Sequence, residues 1–433
     1  MMHRSVSRFT SFARRLWSGT SAEVATAESV DPAVVGMLRA FGIAMLETGQ
    51  ATNEVEETLH RIAAAYGAGR MRVVVLPTVI IIQVEGTAAT TELDSVSGRA
   101  MRLDQTGAIA TLVAAAARGG LEPAEAVAAL ARVRSSAPRF GPWTTVLGHT
   151  VLSLGFGLSL NPTPAAVPAY VVLGAVFGVL LLLGRRLATL NTALPVVAAF
   201  TITVVTGAFL AHAVGDDPLR VLAPPLVSFL PGLTLTIAAV ELTSNQIVAG
   251  ASRVVYGIAQ LLLLAFGVVA GVAVVGDFAP ASGGRPLGAW APWIGVLLVA
   301  VGYLLFSSAP RGSFWWLALT LYVAFAAQSL GAVLLSPELS GFLGALVVVP
   351  FTHWVARFRS APPAVVTMIP AFWLLVPGAL GFIGISSAAR GAASLGVLVD
   401  TGLALFSIAL GMLVGTGLTR DLSVVRSTWR QVS

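Results

Sequence analysis

From residue 143 onward the chain is a succession of long apolar runs separated by short polar stretches. The runs over 143–160, 165–184, 190–211, 221–242, 254–276, 289–307, 314–335, 339–355, 364–385 and 395–417 approach the ~20 residues that carry a helix across a bilayer. The run over 339–355 is the shortest. The residues before 143 follow a different pattern. Ala33–Leu46 is apolar at helical spacing and stops near Gly49. Thr52 and Asn53 stand where a side chain caps a second helix, with Glu54, Glu56 and Glu57 in its first turn, where the helix dipole favours negative charge. Tyr66-Gly67-Ala68-Gly69 supplies the stop. The β-branched runs Arg72–Leu76 and Val79–Val84 predict two strands joined at Pro77-Thr78. Helices near Val96–Arg118 and Pro123–Arg134 complete the order ααββαα.

This pattern predicts an α-helical polytopic membrane protein of about ten transmembrane helices, preceded by a small soluble α/β domain. The expected divisions are a tail (1–30), a cytoplasmic α/β domain (31–138), two five-helix membrane repeats (143–276 and 289–417) and a cytoplasmic tail (418–433). The repeat is visible at Phe229-Leu-Pro231-Gly232 and Leu375-Val-Pro377-Gly378, 146 residues apart, the same offset that separates the first span from the sixth. An odd number of spans per repeat forces the two halves into opposite orientations, an arrangement found in secondary transporters with substrate near the midplane. Pro removes a backbone donor and Gly loosens the chain. Such breaks survive in lipid only where protein or a water-filled cavity satisfies the freed groups.

Composition agrees with a membrane setting: 56% of residues are hydrophobic and 11% charged, against ~25% charged in ordinary soluble domains. All 26 basic residues are Arg and none forms a continuous patch, so a pI of about 10.6 does not imply a nucleic-acid partner. Cys is absent, which excludes disulfides and thiolate chemistry. Arg4, Arg8, Arg14 and Arg15 alternate with Val6, Phe9, Phe12, Leu16 and Trp17, a pattern fitting either a helix on anionic lipid or a disordered basic tail. With both termini cytoplasmic, nine Arg of the loops and C-terminal tail (185, 186, 253, 311, 357, 359, 420, 426 and 430) fall inside and three (220, 285 and 390) outside, as the positive-inside rule requires.

The segments Leu46-Glu-Thr-Gly49-Gln-Ala-Thr-Asn-Glu-Val55, Leu230-Pro-Gly-Leu233 through Glu241-Leu-Thr-Ser-Asn245, Ala249-Gly-Ala-Ser-Arg253, Ile369-Pro370 and Leu375-Val-Pro-Gly378 resemble the threonine/serine exporter family over about residues 33–418. The resemblance implies a bacterial cytoplasmic-membrane protein that exports threonine and serine, is driven by the proton motive force, and is not an enzyme. Some relatives split into two chains and export dicarboxylates such as succinate, which is the alternative cargo. A membrane-embedded hydrolase is a third reading, although only one deep Asp and no catalytic pair stands out within the spans. One departure is Asn245, where family members commonly carry Asp.

Candidate residues of the substrate and ion pathway are Pro231, Gly232, Thr234, Glu241, Asn245, Pro377, Gly378 and Asp400. Acidic groups at membrane depth cost ~3 kcal/mol on insertion scales and are therefore functional candidates. Glu241 has a second reading as the ion-pair partner of Arg253. Ser228, Thr236, Thr367, Gln260 and Gln328 are candidates to contact a hydroxylated substrate or to join helices. Glu56 and His60 share a helix face, but no second His lies nearby to complete a metal site. His3, His149, His212 and His353 are scattered. No P-loop is present. The expected partners are threonine, serine, protons and lipid, with no cofactor and no nucleic acid.

Overall fold

The computed structural model describes residues 31–69, 71–84, 92–95, 101–210, 218–276, 284–375 and 395–432, together with Phe382, Gly384, Ser386 and Ser387. The N-terminal part begins with α1 (Pro32–Glu47) and α2 (Thr52–Ala65). Asp31 caps α1 through its side chain, and α1 ends before Gly49, whose φ is 81°. Next come strands β1 (Met71–Leu76), β2 (Val79–Val84) and β3 (Glu92–Ser95), then α3 (Leu103–Ala116) and α4 (Pro123–Ser135). The sheet is antiparallel in the order β1-β2-β3, and Leu76 pairs with Val79 across the two-residue Pro77-Thr78 turn.

The third strand was not expected, so the order is ααβββαα. Its sequence Glu92-Leu-Asp-Ser95 carries two acids and one large apolar residue, which suits a sheet edge and lacks the β-branched signature of a central strand. Of the helix expected from Val96, the described part starts at Leu103, and residues 96–100 lie outside the described residues. Ile80 and Ile82 of β2 are fully buried beneath α1 and α2. Gly42 of α1 faces Ile80 and Leu59 so closely that a Cβ there would lie 2.4 Å from Ile80 Cδ1.

The remainder is helical: α5 (Pro142–Ser159), α6 (Val167–Gly184), α7 (Ala188–Val205), α8 (Pro218–Leu222), α9 (Gly232–Thr243), α10 (Ile247–Val275), α11 (Ala291–Phe306), α12 (Phe314–Leu334), α13 (Ser340–Val355), α14 (Ala364–Leu375) and α15 (Leu395–Val432). Among the described residues, five helical stretches are long and apolar enough to cross a membrane: Pro164–Gly184, Thr189–Leu210, Ile247–Val275, Phe314–Leu334 and Gly402–Thr419. Their windows are only 33–39% buried within the protein, which leaves apolar side chains facing outward as lipid requires. Of the other expected spans, α5 has 18 residues but carries many polar positions, and the rest are shorter or broken. A 16-residue helix such as α11 or α13 rises only ~24 Å, short of a ~30 Å hydrocarbon core. The fourth run is interrupted: a 3₁₀ turn at Val227–Phe229 gives way at Leu230-Pro231 before α9 begins. The last run continues as helix to Val432, where a separate tail was expected.

Helix α5 packs along α11 by direct backbone contact. A Cβ on Gly148 would lie 2.5 Å from Phe306 N, and one on Gly302 would lie 2.6 Å from Leu152 Cα. Gly155 and Gly295 oppose each other along the same seam. Elsewhere α7 packs on α10 and α13 on α15. The N-terminal part docks on the α11–α12 connection and on α14: Leu103 N–H donates to Ser307 O at 3.0 Å, and Gly107 sits against Val366 and Pro310.

Candidate functional site

A small cavity of about 90 Å³ lies where α5, the broken fourth segment and α14 meet. Phe156 and Ser159 of α5 form one wall, Leu230, Gly232 and Leu233 a second, and Trp373 and Leu374 a third. The second wall flanks the Pro231-Gly232 break. The third lies just before Pro377-Gly378, which themselves fall outside the described residues, as does His212. Helix α9 starts at this cavity. The N–H groups of Gly232, Leu233 and Thr234 have no preceding helical turn to accept them, so the positive end of the helix faces the space. Pro231, expected at the pathway, is buried at the N-cap with no side chain to satisfy those donors.

The second break has a polar neighbour. Gln328 of α12 donates from Nε2 to Leu375 O at 3.3 Å, engaging a carbonyl at the end of α14. Tyr303 of α11 packs edge-on against Trp373, with ring centroids 5.3 Å apart. Its buried hydroxyl and that of Thr236 on α9 have no hydrogen-bond partner among the described residues. Thr367 instead bonds the Ala364 carbonyl of its own helix.

The sequence reading passed over His149. It is fully buried in α5, stacked on Phe177 with centroids 4.5 Å apart and met edge-on by Phe306. Its Nε2 lies 3.1 Å from Ser228 Oγ, and its Nδ1 lies 3.3 Å from both Gly174 O and Ser153 Oγ. Ser228 belongs to the 3₁₀ turn that precedes the break. The available signal was the polar content of the first run, with Thr144, Thr145, His149, Thr150 and Ser153 in an otherwise apolar helix.

At the other end of α9 the chemistry is ionic. Glu241 is completely buried and accepts from Arg253 Nε at 3.0 and 3.2 Å. It also accepts from the backbone N–H of Thr52 at 2.9 Å, so it supplies the cap for α2. The expected side-chain caps do not form: Thr52 Oγ1 and Asn53 Oδ1 are buried with no partner among the described residues. The carboxylate of α9 occupies the acceptor position instead, a pairing 189 residues distant in sequence. Arg253 reaches Gln50 O at 3.4 Å, and Gln246 reaches Glu56 Oε2 at 3.5 Å. Asn245 is exposed with φ of 62°, while Gln246 N–H bonds Glu241 O and Asn245 N–H bonds Leu242 O. That is the left-handed stop of a helix, a conformation Asn tolerates, so the residue acts here as a terminator.

Asp400 lies in the first two turns of α15 with its side chain exposed between exposed Val399 and Leu403. No contact among the described residues joins it to Glu241 or to the cavity. His60 is exposed. Among the described residues no group of three His, Cys, Asp or Glu side chains is placed to hold a metal.

A multi-pass helical architecture with a cavity beside a broken membrane segment defines this protein as a polytopic membrane protein of transporter type. The chain belongs to the ThrE family, whose model carries the description "Putative threonine/serine exporter" and matches residues 37–275, more than half of the sequence. The match takes in the N-terminal part and the helices through α10, including α9, Glu241 and Arg253. No curated protein and no solved structure matches the chain.

Proposed function

We propose that this protein exports threonine and serine across the bacterial cytoplasmic membrane, driven by the proton motive force, with the cavity at the end of α9 as its substrate site. The observation that carries the reading is the lining of that cavity by residues flanking both Pro-Gly breaks, Leu230 and Gly232 from one and Trp373 and Leu374 from the other. Each break belongs to one of two inverted five-helix repeats, and both termini face the cytoplasm. A zwitterion's carboxylate is matched by the open N–H groups of α9. The apolar wall accommodates a methyl-bearing side chain. The cargo has no net charge, so the membrane potential acts through an exchanged proton, worth about 2.3 kcal/mol per 100 mV.

A dicarboxylate would need a second anion-binding group beside the open end of α9, and the described residues lining the cavity include no basic side chain. A hydrolase would need a nucleophile and base in contact at the site, and no such pair is found among the described lining residues.

The test is intracellular amino-acid measurement in cells fed a threonine-containing dipeptide, with and without this protein. Lower internal threonine in the expressing cells is the expected result. Equal threonine with a lowered dicarboxylate pool would reassign the cargo. A reporter fused after Ser433 is expected to report a cytoplasmic C-terminus.

A further inference from the structure

We propose that His149 is the proton-carrying group of transport, acting by reversing its hydrogen bond with Ser228 beside the Pro231-Gly232 break. The inference rests on the exporter reading above. Of the ionisable side chains in the helical part, Glu241 is committed to Arg253 and to the cap of α2, and Asp400 lies on an exposed helix face. His149 is an ionisable side chain of the interior with a direct bond to the segment that carries the cavity wall.

The Gly174 carbonyl can only accept, so a bond to it places the imidazole proton on Nδ1, with Ser153 Oγ as a second acceptor, and leaves Nε2 as an acceptor. Ser228 then donates its hydroxyl hydrogen to Nε2. A proton arriving at Nε2 makes that nitrogen a donor. Ser228 Oγ must then accept, and its own hydrogen must turn to a different acceptor. One proton added to one nitrogen therefore forces a rearrangement at Ser228. That residue sits between Val227 and Leu230, both of which line the cavity. The proton taken up from outside leaves Nε2 on the cytoplasmic side, and the neutral bonding pattern returns. Phe177 stacks on the imidazole face and Phe306 meets the ring edge-on, so the polar response to a proton at Nε2 falls on Ser228.

The helices packed on α5 bring Tyr170 and Tyr303 as further titratable groups, with Arg185 and Arg186 at the end of α6 and Arg220 bonded to Leu160 O. Phenols ionise near pH ~10 and guanidinium groups stay charged, so among these groups the imidazole is the one suited to take up and release a proton.

The test uses purified full-length protein in lipid vesicles, with wild type, His149→Gln and Ser228→Ala measured for threonine counterflow and for threonine efflux driven by an imposed pH gradient. His149→Gln is expected to keep counterflow within about threefold and to lose gradient-driven efflux by about tenfold or more, because exchange needs no net proton movement. Ser228→Ala is expected to move the pH of half-maximal efflux by about half a unit or more. Wild-type gradient-driven efflux from His149→Gln overturns the proposal. If that variant does not reconstitute, an unmoved pH profile in Ser228→Ala overturns it. Absence of threonine counterflow in the wild-type protein would instead defeat the exporter reading, and counterflow without gradient-driven efflux would defeat its proton coupling.

Discussion

Gly232 and Glu241, towards the two ends of α9, lie about 14 Å apart by helix rise, and the two ends are built on opposite principles. At its C-terminal end, Glu241 is buried and held by Arg253 and by the Thr52 N–H of the N-terminal part. At its N-terminal end, Gly232 and Leu233 open onto a cavity, with no side chain among the described residues capping the helix. Ion-pair geometry of the first kind costs desolvation and holds one arrangement. Open helix termini of the second kind wait for a ligand. With the cavity as the proposed substrate site, the difference places an anchor at one end and the binding end at the other, with Leu230-Pro231 as the joint to the preceding turn.

The largest expected effect comes from breaking the anchor. Glu241→Ala leaves the Arg253 guanidinium, 13% exposed, without its counter-charge, and leaves Thr52 N–H uncapped. A loss of about 3–5 kcal/mol is expected, read as a fall in the denaturation midpoint of purified protein. Exchanging the pair as Glu241→Arg with Arg253→Glu is expected not to restore stability fully, because Thr52 N–H then faces a donor. Full recovery would reduce the anchor to a simple ion pair. At the binding end, Gly232→Leu fills the cavity and is expected to cut threonine transport by about tenfold or more with little change in midpoint. Gly378→Leu should match it if the second break contributes equally, and stability loss without transport loss would erase the distinction between the ends. Asp400→Asn is expected to leave gradient-driven efflux within about threefold, since that side chain contacts neither end; abolished efflux would return the proton-carrying role to it. His60→Ala, on an exposed face of α2, should change export by less than about threefold in the same vesicle assay, and a larger loss would extend the functional surface into the N-terminal part.

The sequence made the local features legible. The Pro77-Thr78 turn, the stop at Tyr66-Gly67 and the interruption at Pro231-Gly232 follow from residues that restrict or free their own backbone. Features depending on distant partners were not legible. Thr52 and Asn53 have the composition of caps, yet Glu241 fills that role from 189 residues away. Glu241 itself had two readings, and the ion pair of the second forms where the α9–α10 turn brings Arg253 to it. Strand β3 was hidden because an edge strand needs little apolar alternation. His149 was hidden because an isolated histidine reveals nothing of its neighbours until α6 and the 3₁₀ turn close around it.

The glycine seam between α5 and α11 bears on how the protein is made. Its contacts join Gly155 to Gly295 and Gly148 to Phe306, segments separated by about 140 and 158 residues. A ribosome delivering the chain at ~5–20 residues per second leaves α5 without this partner for several seconds or more. During that interval its polar positions, among them His149 and Ser153, have only early neighbours or chaperones to shield them. The first of the expected spans to emerge is therefore among the last to reach its final packing, and substitutions along the seam should reveal themselves first as poor membrane insertion and rapid degradation.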